Sequence, residues 1–242
     1  MDEIRKLHNT HKRNLIQKWV KRGDRVLDCG CGRGGDLWKW RDVGAQVVAM
    51  DPDGPSLEEV RFRLGNKAFW VDIVQGDVRD AVKLGQFDAV CYNFSLHYIF
   101  SDPILFQNSI DALGAVVKKG GVVFGITPDG SRMNFDSKFT DPLGNTLEKK
   151  GDRLLVGLTG GPFYSDGPKE EPILDGNLFK SAMSKVGFVT VMWEPMLKDS
   201  PDAARVPCPG DEAPFQLQVV PSLLIQLVQL SIRALGDFWP FK

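Results

Sequence analysis

A glycine-rich loop and two later aspartates are the residues best suited to bind a cofactor. The loop, Gly30-Cys31-Gly32-Arg33-Gly34-Gly35, follows the short apolar segment 25–29. Glycines let the backbone turn sharply and let a ligand approach it without meeting side chains. Asp51 and Asp77 each close a later apolar segment, where a carboxylate can accept hydrogen bonds from a ligand. The pattern predicts a site for a nucleoside-containing cofactor.

The glycines alone fit two classes of cofactor. They satisfy the G-x-G-x-x-G pattern of dinucleotide-binding folds, in which Asp51 would accept from a ribose hydroxyl. However, Asp28 precedes the loop and gives D-x-G-x-G, a form typical of methyltransferases that use S-adenosylmethionine. Asp77 is placed to meet an adenine amino group, and Asn93 is placed to line the methionine side. These positions together predict S-adenosylmethionine rather than a nicotinamide cofactor.

The elements that must position these residues alternate between strands and helices. Such alternation predicts an α/β fold with a mostly parallel sheet and helices on both faces. Ligands bind beyond the carboxyl ends of the strands in such sheets. The run 223–232 fits a strand or a helix. The other predicted strands are 25–29, 46–50, 69–74, 87–92, 122–126 and 188–193, and the predicted helices are 3–20, 36–43, 56–64, 104–118 and 178–185.

The length of 242 residues suits a single domain with an inserted segment. Residues 1–22 form its amino-terminal helix, and residues 23–127 form the cofactor-binding core. Residues 128–175 are rich in proline and glycine and predict an excursion on the substrate side. Residues 176–242 complete the sheet and its loops.

Composition excludes several function classes. The formal net charge of −1 argues against a protein that coats long stretches of nucleic acid, but it allows a local basic groove. The sequence has no apolar run of roughly 18 residues, so a membrane is not an expected partner. Its 4 cysteines show neither a zinc-binding spacing nor a dense disulfide framework. We therefore expect a reducing compartment and no metal site.

The residues around the loop resemble a known family more closely. Residues 28–40, D-C-G-C-G-R-G-G-D-L-W-K-W, resemble the signature of mRNA cap guanine-N7 methyltransferases, and segments 9–12, 93–98 and 125–131 resemble other family motifs in the same order. The chain looks most like the methyltransferase module of capping enzymes from large cytoplasmic DNA viruses. The resemblance implies a class I S-adenosylmethionine-dependent methyltransferase fold, Rossmann-like, with a seven-stranded sheet and an inserted substrate-binding segment.

The resemblance also implies partners and a location. The expected substrate is 5′-capped RNA, and the expected location is the cytoplasm, or the virion if the enzyme is viral. The viral module is one part of a longer polypeptide, so this chain can be an excised domain. Triphosphatase and guanylyltransferase domains are then expected as partners in the same polypeptide.

Individual roles follow from the match to the family motifs. Thr10 replaces the family's tryptophan, Arg33 its lysine and Asn93 its glutamine, and the family's carboxy-terminal tyrosine has no evident counterpart. The family's later acidic residue matches Glu171, with Glu170 as the alternative. The implied contacts to S-adenosylmethionine are Lys12, Gly30, Asp51, Asp77, Asn93 and Tyr98, beside Asp28 and Gly32 from the loop pattern, and the implied contacts to the cap are Asn9, Arg33, Lys39, His97 and Glu171.

The implied reaction needs no acid–base residue. Guanine N7 carries an unprotonated lone pair, so it can attack the methyl group in line without a general base or a metal ion. Catalysis then depends on positioning, which His97, Tyr98 and Glu171 would provide. A carboxylate would also stabilise the positive charge that the guanine gains.

Other interpretations stay open at this point. The same cofactor loop could serve a methyltransferase with another acceptor, or a non-catalytic RNA-binding subunit. His97 and Tyr98 also fit structural core positions, and Lys39 fits a solvated helix position. Phe163 and Tyr164 fit either rings that stack on the base or anchors for their loop. The basic residues near the start, Lys12, Arg13, Lys18, Lys21 and Arg22, fit a solvated face or an RNA path.

Overall fold

The computed structural model describes residues 2–65, 68–130, 138–140, 144–151, 153–159, 164, 166–196 and 227–235. Helices and strands alternate along the first half of the chain, as predicted. None of the helices in these ranges is long and apolar enough to cross a membrane. The α-helices are α1 (Asp2–Trp19), α2 (Leu37–Val43), α3 (Gly54–Leu64), α4 (Pro103–Val116) and α5 (Gly176–Lys185), and short 3₁₀ segments span Asp80–Leu84 and Leu96–Ser101.

Strands form two sheets in the described ranges. The central sheet has seven strands. They are β1 (Arg25–Cys29), β2 (Gln46–Asp51), β3 (Val71–Gln75), β4 (Phe87–Asn93), β5 (Val117–Pro128) and, after the strands of the second sheet, β10 (Phe188–Pro195) and β11 (Leu227–Ala234). Their order in the sheet is β10-β11-β5-β4-β1-β2-β3. Neighbouring strands pair in parallel except β11, which is antiparallel to both β5 and β10.

The central sheet is covered on both faces because its strands are apolar on both sides. Along β1, Val26 packs into one core and Leu27 into the other, since successive side chains of a strand point to opposite faces. Helices α4 and α5 cover the Leu27 face with side chains such as Ile110 and Phe179. Helices α1 and α2 cover the Val26 face, where Trp40 is fully buried. The mostly parallel seven-stranded sheet predicted from the sequence is therefore confirmed.

Three helices begin at aspartates that accept from backbone N–H groups of the first turn. Asp53 accepts from Ser56 N at the start of α3, and Asp102 accepts from Leu105 N at the start of α4. Asp175 caps α5 in the same way. Such caps satisfy N–H groups that have no partner within the helix. They fix where each helix begins.

Some boundaries differ from the predicted ones. Strand β3 begins at Val71 rather than residue 69, because Phe69 and Trp70 form a turn. Strand β5 extends on both sides of the predicted segment 122–126. The described part of the undecided run, residues 227–232, is a strand, because β11 pairs with β5 along one edge and with β10 along the other.

The second sheet lies within the predicted excursion. It is antiparallel, with strands β6 (Phe139–Thr140), β7 (Thr146–Lys150), β8 (Arg153–Gly157) and β9 (Lys169–Pro172) in that order. A small core of Leu147, Leu154 and Val156 supports it. Its strand β9 also packs against the 3₁₀ segment Leu96–Ser101, which follows β4 of the central sheet. The two sheets therefore meet beside the carboxyl end of β4.

Candidate active site

A cavity of about 770 Å³ lies between the two sheets. One part of its wall is the glycine loop with the carboxyl ends of β2 and β3, and another is the inner side of the smaller sheet. Its lining is mostly apolar, with a few carboxylate, hydroxyl and imidazole groups. Seven residues predicted from the sequence line it: Gly30, Gly32, Asp51, Asp77, His97, Tyr98 and Glu171.

The glycine loop is held tightly between neighbouring strands. The N–H groups of Gly30 and Cys31 donate to Met50 O at 2.8 and 3.0 Å. Ser95 contacts the loop from the other side, where its Oγ donates to Cys29 O at 2.6 Å. Gly30 has φ of +75°, and a Cβ at this position would lie 2.3 Å from Ser95 Cβ. Only glycine fits there, so the backbone itself forms this part of the cavity wall.

Asp51 joins the end of β2 to the glycine loop. Its Oδ2 accepts from Gly32 N at 2.7 Å, and its Oδ1 accepts from Asp53 N at 2.9 Å. These bonds fix the carboxylate although it borders the cavity. Each carboxylate oxygen can accept more than one hydrogen bond, so both can still accept from the hydroxyls of a ligand.

Asp77 lies at the end of β3, where an adenine contact was predicted. The guanidinium of Arg79 donates to both of its oxygens, at 2.9 and 3.1 Å through Nε. These hydrogen bonds hold the pKa of Asp77 below its usual range. A ligand amino group at this position must share the carboxylate with Arg79 or displace it.

Asp36 is the centre of a second polar cluster, which adjoins the cavity without lining it. Lys12 Nζ lies 3.0 Å from Asp36 Oδ2, and Lys39 Nζ lies 2.6 Å from Oδ1. Asn93 Nδ2 also donates to Oδ2, at 3.0 Å. Burial alone would raise the pKa of Asp36, but the two ammonium groups lower it. The cluster ties α1 and α2 to the end of β4.

Asp28 lies next to this cluster and is almost completely buried. Trp40 Nε1 donates to its Oδ2 at 2.9 Å. Burial and, to a smaller extent, the negative charge of Asp36 raise the pKa of Asp28 to about 7. Asp28 does not line the cavity. In this structure Asp28 therefore contacts Trp40 of α2 rather than the cavity.

Glu171 lies on β9 at the far side of the cavity and is only 6% exposed. Tyr164 donates from its hydroxyl to Oε1 at 2.7 Å, and His97 Nε2 lies 3.2 Å from Oε2. Burial raises the pKa of Glu171, but the neighbouring His97, Tyr164 and Tyr98 lower it below its ordinary value overall. The adjacent Glu170 is exposed, so the structure favours Glu171 as the acidic residue of the site.

His97 is buried, but hydrogen bonds do not satisfy it. Neither ring nitrogen has a hydrogen-bond partner among the described residues, because Nε2 is not oriented for one toward Glu171. Tyr98 is 38% exposed, and its ring packs against His97 at 4.3 Å between centroids. His97 is therefore not a core residue whose hydrogen bonds are satisfied, and Tyr98 is not a buried core residue. Both present polar groups at the cavity.

His8 also lines the cavity, although the sequence did not single it out. Its ring lies 4.8 Å from that of Phe94, and its Nε2 is buried without a partner among the described residues. Burial, together with the charges of Lys12 and His11, lowers the pKa of His8 to about 4. The imidazole is therefore neutral near pH 7.

Several predicted residues lie away from the cavity. Asn9 Nδ2 donates to Arg5 O within α1. Arg33 is exposed on the glycine loop. Lys39 is neither solvated nor exposed toward a ligand, because it is buried against Asp36. Lys12 and Asn93 also belong to that cluster and do not line the cavity.

The sequence offered signals for the residues that were missed. Asp36 lies inside the motif at residues 28–40, but it was interpreted only as the start of a helix. His8 immediately precedes the motif at Asn9. The hydrogen bond of Tyr164 had no local signal, because its partner lies on β9. The neighbouring Phe163 lies outside the described residues.

No group of three or more His, Cys, Asp or Glu side chains in the described part of the chain is arranged to hold a metal ion.

Comparison with known proteins identifies the family. The sequence model of the mRNA (guanine-N(7))-methyltransferase domain matches residues 2–149, more than half of the chain. The chain belongs to this family. The alignment with the mRNA cap guanine-N(7) methyltransferase of Saccharomyces cerevisiae is 31% identical over 147 residues and covers 55% of this chain and 34% of that protein. The alignment with the Caenorhabditis elegans protein of the same name is 32% identical over 151 residues and covers 54% of this chain and 40% of that protein. The chain therefore spans well under half the length of these relatives.

Solved structures show the fold of this family member over nearly its full length. An S-adenosylmethionine-dependent methyltransferase from Clostridium acetobutylicum superposes with a TM-score of 0.62 at 13% identity, over 94% of this chain and 92% of that chain. CalS10, an amino pentose methyltransferase from Micromonospora echinaspora solved with S-adenosylmethionine bound, gives 0.58 at 17% identity, over 96% and 91%. The class I S-adenosylmethionine-dependent methyltransferase fold predicted from the sequence is confirmed.

Proposed function

We propose that this protein transfers a methyl group from S-adenosylmethionine to N7 of the 5′ cap guanine of mRNA. The observation that carries the proposal is the cavity, which joins the glycine loop and Asp51 to the buried carboxylate of Glu171. Membership of the family supports this choice of acceptor.

The residues of the glycine loop fit S-adenosylmethionine. Gly30 and Gly32 line the cavity and have no side chains, so a ligand would lie directly against the backbone there. Asp51 would accept from the ribose hydroxyls, and Asp77 would accept from the adenine amino group. Lys12 and Asn93 are held by Asp36 beside the cavity rather than in its wall, and from there they would orient the amino-acid end. The bound cofactor supplies a methyl group activated by its sulfonium.

Glu171 and His97 would hold the guanine. The carboxylate of Glu171 accepts hydrogen bonds, and guanine offers two neighbouring donors at N1–H and N2–H. Because Glu171 is buried, a base that lacks these donors would leave part of its hydrogen-bonding capacity unsatisfied at a cost. The same negative charge would stabilise the positive charge that forms on the methylated guanine. Tyr98 and His97 would restrict the base to one plane.

No residue needs to remove a proton in this proposal. N7 carries a free lone pair, so the chain contributes orientation and exclusion of water rather than acid–base chemistry. Holding the two reactants in line in one cavity lowers the barrier mainly through proximity.

The experiment is a transfer assay with labelled S-adenosylmethionine and GpppA- or GpppG-capped RNA. We expect the label in N7-methylguanosine, and we expect Glu171→Gln to lower kcat/KM about 100-fold. Glu170→Gln is the matched control, because Glu170 is the exposed neighbour on the same strand. Label in another acceptor would contradict the proposal, and cofactor binding without transfer would indicate a non-catalytic subunit. The triphosphatase and guanylyltransferase domains and the cytoplasmic location stay predictions.

A further inference from the structure

Tyr164 is fixed at both ends of its side chain. Its ring packs against the small core of Leu147, Leu154 and Val156. Its hydroxyl donates to Glu171 Oε1 at 2.7 Å. Because the ring is supported by the sheet that also carries Glu171, the hydroxyl has a defined position relative to the carboxylate. This contact differs from both roles expected from the sequence, a loop anchor and a ring that stacks on a base.

The hydroxyl of Tyr164 acts as a permanent donor. Burial raises the pKa of Tyr164 well above its ordinary value, and the charge of Glu171 raises it further. The phenol therefore stays protonated throughout the neutral range. Glu171 Oε1 thus accepts a hydrogen bond from Tyr164, and its Oε2 faces the unaligned imidazole of His97. Tyr98 also contacts the carboxyl group and lowers its pKa.

We propose that Tyr164 is a positioning residue that sets the preference for guanine by holding Glu171 as a carboxylate in one orientation. This inference rests on the proposed function, because it concerns the base that Glu171 contacts. A carboxylate only accepts hydrogen bonds, which suits the two donors of guanine. A protonated carboxyl both donates and accepts, which suits the ring nitrogen and amino group of adenine.

Burial favours the protonated form of a carboxyl group, so the orientation and charge of Glu171 depend on its donors. Among its neighbours, His97 lowers the pKa of Glu171 most, followed by Tyr164 and Tyr98, and Tyr164 donates directly to Oε1 at 2.7 Å. Loss of the hydroxyl would leave Oε1 without this donor and would let the carboxyl group rotate. Glu171 would then take up a proton at higher pH, and the preference for guanine would weaken.

The test uses Tyr164→Phe, which removes the hydroxyl and keeps the ring on its small core. Equilibrium binding of GpppG and ApppA dinucleotides is measured by calorimetry for the wild type and the variant. We expect the preference for GpppG to fall about 10-fold or more, as for the loss of a hydrogen bond to a charged group. The affinity for S-adenosylmethionine should not change. The acid limb of the pH–rate profile for N7 methylation should move to higher pH.

A double-mutant cycle with Glu171→Gln separates this role from a general packing effect. In the Gln background, Tyr164→Phe should cause little further loss of preference, because the charge on which it acts is already absent. The inference is overturned if Tyr164→Phe weakens GpppG and ApppA equally, or leaves both the preference and the acid limb unchanged. Thermal unfolding of each variant shows whether it is folded.

The proposed function can fail independently. If the wild-type protein transfers no methyl group to GpppG, the proposed function is wrong, whereas the dinucleotide affinities still measure the effect of Tyr164 on base preference. If the wild type is active and the cycle shows no coupling, only the role of Tyr164 is wrong.

Discussion

Lys39 and Asp36 form an ion pair of 2.6 Å between side chains that are 7% and 8% exposed. Lys12 and Asn93 donate to the same carboxylate from α1 and the end of β4. Buried charges are costly unless they remain paired. The cluster therefore specifies how α1 and α2 sit beside the glycine loop, and it explains why a lysine in the family motif is not exposed to solvent.

Lys39→Met should destabilise the protein rather than weaken a phosphate contact. We expect the free energy of unfolding to fall by about 1–3 kcal/mol, because Asp36 loses one charged donor and keeps the others. The salt dependence of capped-RNA binding should stay the same, since Lys39 has no free path to a phosphate. Urea denaturation and binding at several salt concentrations measure the two effects. A smaller salt slope with unchanged stability would show instead that Lys39 contacts RNA.

Asp36→Asn should weaken cofactor binding. Its charge holds Lys12 and Asn93 in place, so we expect the Kd for S-adenosylmethionine to rise about 10-fold, as for one lost charged hydrogen bond. Titration calorimetry measures the Kd. The matched control is Asp42→Asn, because Asp42 also links α2 to α1, through Arg13 at 2.8 Å, but both side chains are over 40% exposed. An exposed pair contributes little, so an equal effect of both variants would contradict the role of Asp36.

Gly30→Ala should abolish cofactor binding, whereas Gly35→Ala in the same loop should not. A Cβ at position 30 would lie 2.3 Å from Ser95 Cβ, on a backbone with φ of +75°. A Cβ at position 35 meets nothing within 4 Å. We expect a loss of affinity of at least about 100-fold for Gly30→Ala, since such strain costs on the order of 1–3 kcal/mol before the clash is added. Equal affinities of the two variants for S-adenosylmethionine would be inconsistent with this geometry.

Asp28→Asn should change how stability depends on pH. Folding raises the pKa of Asp28 from 3.8 to about 7, so the folded state binds an additional proton between these values. The stability that this proton contributes is fully present below pH 3.8 and is lost as the pH rises through about 7. Relative to the variant, the wild type should therefore lose on the order of a few kcal/mol from pH 4 to 8.

The measurement is chemical denaturation of both proteins across that pH range. Asparagine keeps an oxygen that can accept from Trp40, so the substitution changes mainly the charge. Parallel stability curves for the two proteins would show that Asp28 titrates normally.

The cofactor side of the site could be predicted from sequence because its signals are local. The loop at Gly30 and Gly32 directly follows an apolar strand, and Asp51 ends the next strand, so spacing alone places them at one edge of a sheet. Glu171 was found through the family motif rather than through spacing. Its burial beside Tyr164 and His97 became evident only in the structure, since these three residues come from different parts of the chain.

The Asp36 cluster could not be predicted because its partners are distant in sequence. Lys12 and Asn93 lie 24 and 57 positions away from Asp36. Helical periodicity placed Lys39 opposite Leu37, which indicates solvent on an isolated helix. Because α1 packs against α2, the side of α2 that carries Lys39 is buried in the folded protein. A neutral His8 was likewise hidden, because its environment depends on Phe94 and Lys12.

The pairing of β5 with β11 has a consequence for how the protein folds. These strands are adjacent in the sheet but lie roughly one hundred residues apart in the chain, so their contact closes a long loop late and raises the contact order. Until β11 is in place, β5 and β10 each present an unpaired edge on which other chains could add. During synthesis, the cofactor-binding half of the sheet can form first. Strand β11 then pairs with β5 and β10 and covers these two edges.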